Sequence, residues 1–144
     1  MLFRSGARIS RSLSPRECVP APGQGIIAIE IRAGDAPTGE VVRRISDAAA
    51  GAALSAQRAL VTELGGGCQM PIGAYADISQ DRLRLTALLI SLDGQQEARA
   101  EVQGAITEAA KIGEQAAAQI LLSGGRDILS EIAFARASIE GTQP

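Results

Sequence analysis

The sequence contains no histidine and no tryptophan, and aromatic residues make up only 2% of it. Without histidine, neither imidazole acid–base chemistry nor a histidine-ligated metal is available. Two cysteines, Cys18 and Cys68, are too few to build a thiolate zinc site, so no metal ligand is assigned. With aromatics this scarce, Ala, Ile, Leu and Val must form the core. No apolar run approaches the roughly 20 residues of a membrane span. The first fourteen residues carry arginines but no apolar stretch of the secretory type. Two free thiols in a reducing compartment, the cytoplasm, are therefore expected. A formal net charge of -2 lacks the basic excess that a nucleic-acid partner requires. Neither a nucleic acid nor a membrane is expected as a partner.

What is present suits a globular chain: 144 residues, 46% hydrophobic and 21% charged, enough for one domain plus part of another. Met1 to Arg16 reads as a basic, irregular lead. The loop Val19-Pro20-Ala21-Pro22-Gly23-Gln24-Gly25 is kept out of helix and sheet by its prolines and glycines. The β-branched run from Ile26 to Arg32 predicts a strand covered on both faces, although few partners lie near it in sequence. Thr38 is the expected N-cap of a short helix through Val41, Val42 and Ile45, and Asp47 that of the next. In this second helix Leu54, Leu60, Val61 and Leu64 make the apolar stripe, with Gln57, Arg58 and Glu63 outside it and Gly65 as the stop.

Three strands follow: Ile72 to Ser79, then Leu83 to Leu92 after a tight turn at Gln80-Asp81, then Gln96 to Gln103 after an Asp93-Gly94 hairpin. In the third, Ala98, Ala100 and Val102 alternate with Glu97, Arg99, Glu101 and Gln103, which gives one dry face and one wet. Thr107 opens a long helix with an Ala109, Gly113, Ala116, Ala117, Ile120, Leu121 stripe. Gly124-Gly125 ends it before a last helix carrying Ile128, Leu129, Ile132 and Ala133. The pattern predicts an α+β fold, a three-stranded antiparallel sheet with helices packed on one face, occupying residues 38–144.

Two glycine-rich loops carry the chemical interest. Ala21-Pro22-Gly23-Gln24-Gly25 is no phosphate loop, because it lacks the Lys-Ser/Thr ending and precedes a strand-like run. In Leu64-Gly65-Gly66-Gly67-Cys68-Gln69-Met70-Pro71-Ile72-Gly73, three glycines leave the thiol with no bulky neighbour before it. Cys68 is then either a small buried residue behind a glycine cap or a soft nucleophile presented to a large partner. Arg58, on the preceding helix, is either solvated or aimed at that thiol.

Together, Ala-Pro-Gly-Gln-Gly before an apolar run with an internal Glu30, and Gly-Gly-Cys-Gln-Met-Pro-Ile-Gly-Ala-Tyr-Ala about forty residues later, closely resemble porphobilinogen deaminase (hydroxymethylbilane synthase). The resemblance runs from about Leu13 to the last helix and leaves residues 1–12 unplaced. It implies a transferase of tetrapyrrole synthesis that joins porphobilinogen units head to tail, losing ammonia through an electrophilic azafulvene. It also implies that Cys68 carries a dipyrromethane cofactor by a thioether, with Gly65 to Gly73 as its loop and Gln24 and Gly25 approaching from the hinge side. A thiolate suits such an electrophile, and tethering keeps each oligopyrrole intermediate at high effective concentration.

The resemblance further implies partners: porphobilinogen, oligopyrrole intermediates, and two upstream domains holding a catalytic aspartate and carboxylate-binding arginines. No catalytic residue is assigned within this chain. Residues 1–37 then read as a hinge loop and strand left over from an upstream domain, and 38–144 as the C-terminal cofactor-carrying domain. Gln57 stands where the family often has Glu. The competing reading is a free-standing small α/β binding or regulatory module with an incidental cysteine.

Overall fold

The computed structural model describes residues 8–67 and 69–140, with the side chains of 139 and 140 excepted. Three antiparallel strands, β1 (Ile72–Ser79), β2 (Arg82–Ile90) and β3 (Glu97–Ala105), pair in sequence order. Their register places Ile72, Ala74, Ala76 and Ile78 of β1 opposite Leu89, Ala87, Leu85 and Leu83 of β2, which in turn face Ala98, Ala100, Val102 and Gly104 of β3. Every second residue therefore falls on one face, and that face is dry: Leu83, Leu85, Ala87 and Leu89 are all fully buried. Helices α2 (Ala48–Glu63) and α3 (Ala109–Ile120) cover it, α2 over β1 and α3 over β2 and β3. Their Ala56, Leu60, Ile112, Ala116 and Ile120 complete the core, and Ile128 and Ile132 of α4 (Arg126–Glu140) close its end. The α+β plan expected from the sequence is the plan observed.

The wet face has its own cover. The lead crosses it with Arg16, which pairs with Glu101 at 3.6 Å and accepts at its carbonyl from Arg99 at 3.3 Å. Val19 lies against Gly73, where an added Cβ would meet the Val19 side chain at 3.0 Å. The Pro20 carbonyl then accepts from Ala74 N–H at 2.8 Å, at the free edge of β1. The lead is thus anchored on the sheet as far as Pro20.

Local chemistry moves several expected boundaries. The first helix, α1 (Ala36–Arg43), is capped by Asp35 and not by Thr38. The Asp35 carboxylate accepts from Thr38 N–H at 3.1 Å and from its hydroxyl at 2.8 Å, so Thr38 supplies the third-residue partner of the cap. Asp47 caps α2 as expected, accepting from Ala50 N–H at 3.0 Å. The β2–β3 connection is broader than an Asp93-Gly94 hairpin. Ser91, 5% exposed, donates from its hydroxyl to Asp93 and receives Gln96 N–H on it, so the loop spans 91–96 and β2 stops at Ile90. A 3-10 turn over Ile106–Glu108 precedes α3, and Ser123 and Gly124 leave helical conformation before α4.

The strand expected over Ile26 to Arg32 does not form. A strand needs a partner ladder, and among the described residues nothing pairs with this segment. Ile27, Ile29 and Ile31 are exposed at 89%, 51% and 39%. Fast amide exchange over 26–31 is the expected result, and Ile27→Lys with Ile29→Lys should change stability by less than about 0.5 kcal/mol while raising solubility. Slow exchange in a chain shown to be monomeric would contradict this picture.

Three carboxyls, two exposed and one half-buried, are held below the ordinary range by hydrogen bonds. Glu17 is lowered by the Ser14 backbone and then its hydroxyl, Asp35 by the Thr38 hydroxyl and then its backbone, and Asp93 by the Ser91 hydroxyl and the Gln95 backbone. A depressed folded pKa favours the folded state above the unfolded pKa, and the contribution fades as pH falls through the folded value. The α1 cap and the 91–96 loop should therefore hold at neutral pH and loosen only below about pH 4. Thr38 and Gln95 amide shifts followed through an acid titration check this; a break near neutrality would rule it out.

Candidate functional site

Helix α2 carries the site. Its stripe is Ala53, Ala56, Gln57 and Leu60, so Gln57 lies inside the buried face and not outside it as its polarity suggests. Three and four residues from Leu60 and Ala53, it falls on the helical wheel among the buried positions, and that spacing was the available signal. At 5% exposure a primary amide needs a partner, and its Oε1 accepts from Gly23 N–H at 2.6 Å.

This bond brings the first glycine loop onto the helix. Pro22 to Gly25 form a turn in which Gln24 N–H donates to the Ala21 carbonyl and Ile26 N–H to that of Gly23, each at 3.0 Å. Gly23 and Gly25 have φ of 78° and 84°, a region that side chains rarely occupy. Gln24 stands exposed between them, its Oε1 accepting from Ala21 N–H at 3.2 Å, and Gly25 is also exposed. Between the turn and α2 runs a groove of about 420 Å³, lined by Pro22, Gly23, Ile26, Leu54, Gln57 and Arg58. Arg58 faces this groove as its basic residue.

The second loop leaves the end of α2. Gly65 N–H bonds to the Thr62 carbonyl at 3.0 Å and Gly66 N–H to that of Val61 at 2.9 Å, the paired bonds of a Schellman cap, with Gly65 at φ 67°. Gly65 thus ends the helix as expected. Gly66 packs tightly, since a Cβ there would sit 2.9 Å from Ile72 Cδ1, whereas no described residue beyond the chain neighbours lies within 4 Å of a Cβ added at Gly65 or Gly67. Met70 N–H returns to the Gly67 carbonyl at 3.0 Å. Cys68 itself lies outside the described residues. Residues on both sides of it, Gly65 and Met70, line a second groove of about 460 Å³ with Leu64, Leu129, Ile132 and Arg136.

Gln24 and Gly25 therefore share one turn, held at the middle of α2, while the thiol loop leaves its C-terminal end. Among the described residues no cluster of His, Cys, Asp or Glu is placed to hold a metal ion, and no helix is long and apolar enough to cross a membrane. Cys18 is a free, exposed thiol.

Two family models match the chain. Residues 52–122 match the model described as porphobilinogen deaminase, C-terminal domain, and residues 2–40 the model described as porphobilinogen deaminase, dipyromethane cofactor binding domain. The second match takes in residues 2–12, which lie outside the resemblance carried by the motifs, and it contains the Gln24 turn; the thiol loop falls in the first. Among curated relatives, the porphobilinogen deaminase of Carboxydothermus hydrogenoformans is 42% identical over 87% of this chain and 40% of its own length. That of Thermus thermophilus is 40% identical over 87% of this chain and 42% of its own length, and that of Bordetella parapertussis 43% over 88% and 40%. The chain spans about two fifths of the length of these relatives. With two of the family's domain models matched in turn and this level of identity along most of its length, the chain belongs to the porphobilinogen deaminase family, as a C-terminal portion.

Proposed function

We propose that this chain is the C-terminal part of a hydroxymethylbilane synthase and carries the dipyrromethane cofactor through a thioether at Cys68. What supports the reading is the order of the two family matches, residues 2–40 with Gln24 in the first and residues 52–122 with the Gly65–Gly73 loop in the second. In this reading residues 1–37 finish an upstream domain and residues 38–144 form the cofactor-carrying one. Gln24 and Gly25 approach the cofactor from the hinge side. The setting is the cytoplasm, and porphobilinogen, oligopyrroles and the upstream domains are the partners, without nucleic acid or membrane.

The residues present fit the group in space and only partly in charge. Open surroundings at Gly65 and Gly67, beside a groove of about 460 Å³, leave room for a bulky substituent. Among the described residues, however, each groove has a single basic side chain, Arg58 in one and Arg136 in the other. The acetates and propionates of a pyrrole chain need more cations than that. Those cations, and the acid–base group for the reaction, are assigned to the upstream domains. The bound dipyrromethane supplies the pyrrole carbon to which new units are joined. This chain's own work is to hold the tether, order the Gln24 turn and keep the three positions before the thiol, Gly65 to Gly67, free of side chains.

The test is to produce residues 1–144 together with the upstream three fifths of the Thermus thermophilus relative in cells making tetrapyrroles. A dipyrromethane adduct that intact mass detects and peptide mapping places on Cys68 is the expected result. An associated pair with unmodified Cys68 would overturn the reading.

A further inference from the structure

Downstream of Pro20 the lead is held to the fold by one polar contact. Among the described residues, the bond from Gly23 N–H to Gln57 Oε1 is the only hydrogen bond tying residues 21–31 to another element. The turn's shape does not depend on it, because the bonds from Gln24 to Ala21, from Ile26 to Gly23 and from Ala21 to the Gln24 side chain are all internal. What Gln57 sets is the turn's place on α2. Four and five residues further along the same helix, Val61 and Thr62 receive the cap bonds that launch the thiol loop. That separation is roughly 6–8 Å along a rigid helix.

We propose that Gln57 is a positioning residue for the cofactor site. By gripping Gly23 it fixes the Gln24 turn at one distance from the loop of Cys68, so the two approach a bound pyrrole as a single unit. The inference rests on the function proposed above and names the residue that joins its two loops. A leucine would satisfy the buried stripe of α2 at least as well as an amide does. The short bond to an exposed loop is what an amide adds.

The experiment uses Gln57→Leu, which removes the acceptor, and Gln57→Glu, which keeps one. In the 144-residue chain, Gln57→Leu should speed exchange of the Gly23 amide about tenfold, the scale of one lost hydrogen bond, while the Ala74 amide stays as protected as before. With the upstream three fifths of the Thermus thermophilus relative added, the same variant should slow loading of Cys68 from hydroxymethylbilane by a similar factor, read by mass. Gln57→Glu should restore both. Unchanged Gly23 exchange would overturn the contact. Freed Gly23 with loading at the unsubstituted rate would overturn the positioning role, and so would failure of Gln57→Glu to restore loading. If the unsubstituted chain associates but takes no pyrrole, the proposed function falls and the positioning role with it, while the Gly23 measurement still decides the contact.

Discussion

Replacing Cys68 by serine is expected to abolish turnover of the reconstituted pair while leaving the stability of the chain within about 0.5 kcal/mol of its original value. The two halves of this expectation come from different links of the argument. Serine keeps the size of the side chain but is a far weaker nucleophile at neutral pH, so no thioether forms and the growing oligopyrrole has no tether. Stability is spared because the immediate neighbours, Gly67 and Gln69, are exposed and no described residue comes within 4 Å of a Cβ added at Gly67, while the packed loop positions, Gly66 and Met70, keep their contacts. A structural cysteine behaves in the opposite way. A hydroxyl buried without a partner costs about 1–3 kcal/mol and activity falls only as far as stability does. Urea unfolding and product formation on the same preparation separate the two cases. Full turnover with Cys68→Ser would defeat the assignment of the tether.

The legible parts of the fold were those set by local pattern. β1 begins and ends where its sequence says, because Pro71 and the Gln80-Asp81 turn bound it and its apolar alternation matches that of β2. The stripe of α3 was readable for the same reason, although Ile112 also belongs to it. Misreadings arose where a side chain's partner is distant. Gln57 looks like a surface residue until Gly23, thirty-four positions earlier, arrives to use its amide. The Ile26 to Arg32 run has a strand's composition, but pairing is a property of two segments and the second is not among the described residues. Asp35 displaced Thr38 because its carboxylate, three residues earlier, accepts the N–H and the hydroxyl of Thr38 itself and so starts the helix sooner. Of the candidate site, the two loops were visible as motifs. The helix that holds them in register was not, since the sequence gives no sign of which loop lies against which helix.

Gly113→Ala should be the most damaging small substitution in the chain, costing about 3 kcal/mol or more. In an exposed helix the same change is favourable by about 0.5–1 kcal/mol, because alanine loses less backbone entropy than glycine. Packing reverses the sign here. Gly113 sits where α3 crosses α2, and its added methyl would press on the Ala56 carbonyl oxygen, lie 2.8 Å from Ala59 Cβ and 2.9 Å from Leu60 N. Two of these three atoms are backbone, so relief requires the helices to part and not a rotamer to turn. Gly51, exposed on α2 with nothing within 4 Å of an added Cβ, is the internal control. Gly51→Ala should raise the urea midpoint while Gly113→Ala lowers it sharply. Because α2 carries both Gln57 and the cap of the thiol loop, Gly113→Ala should also loosen the Gly23 amide in the fraction that remains folded. A Gly113→Ala chain as stable as the Gly51→Ala chain would mean that the two helices do not cross at this residue, and the register assigned to the site along α2 would have to be redrawn.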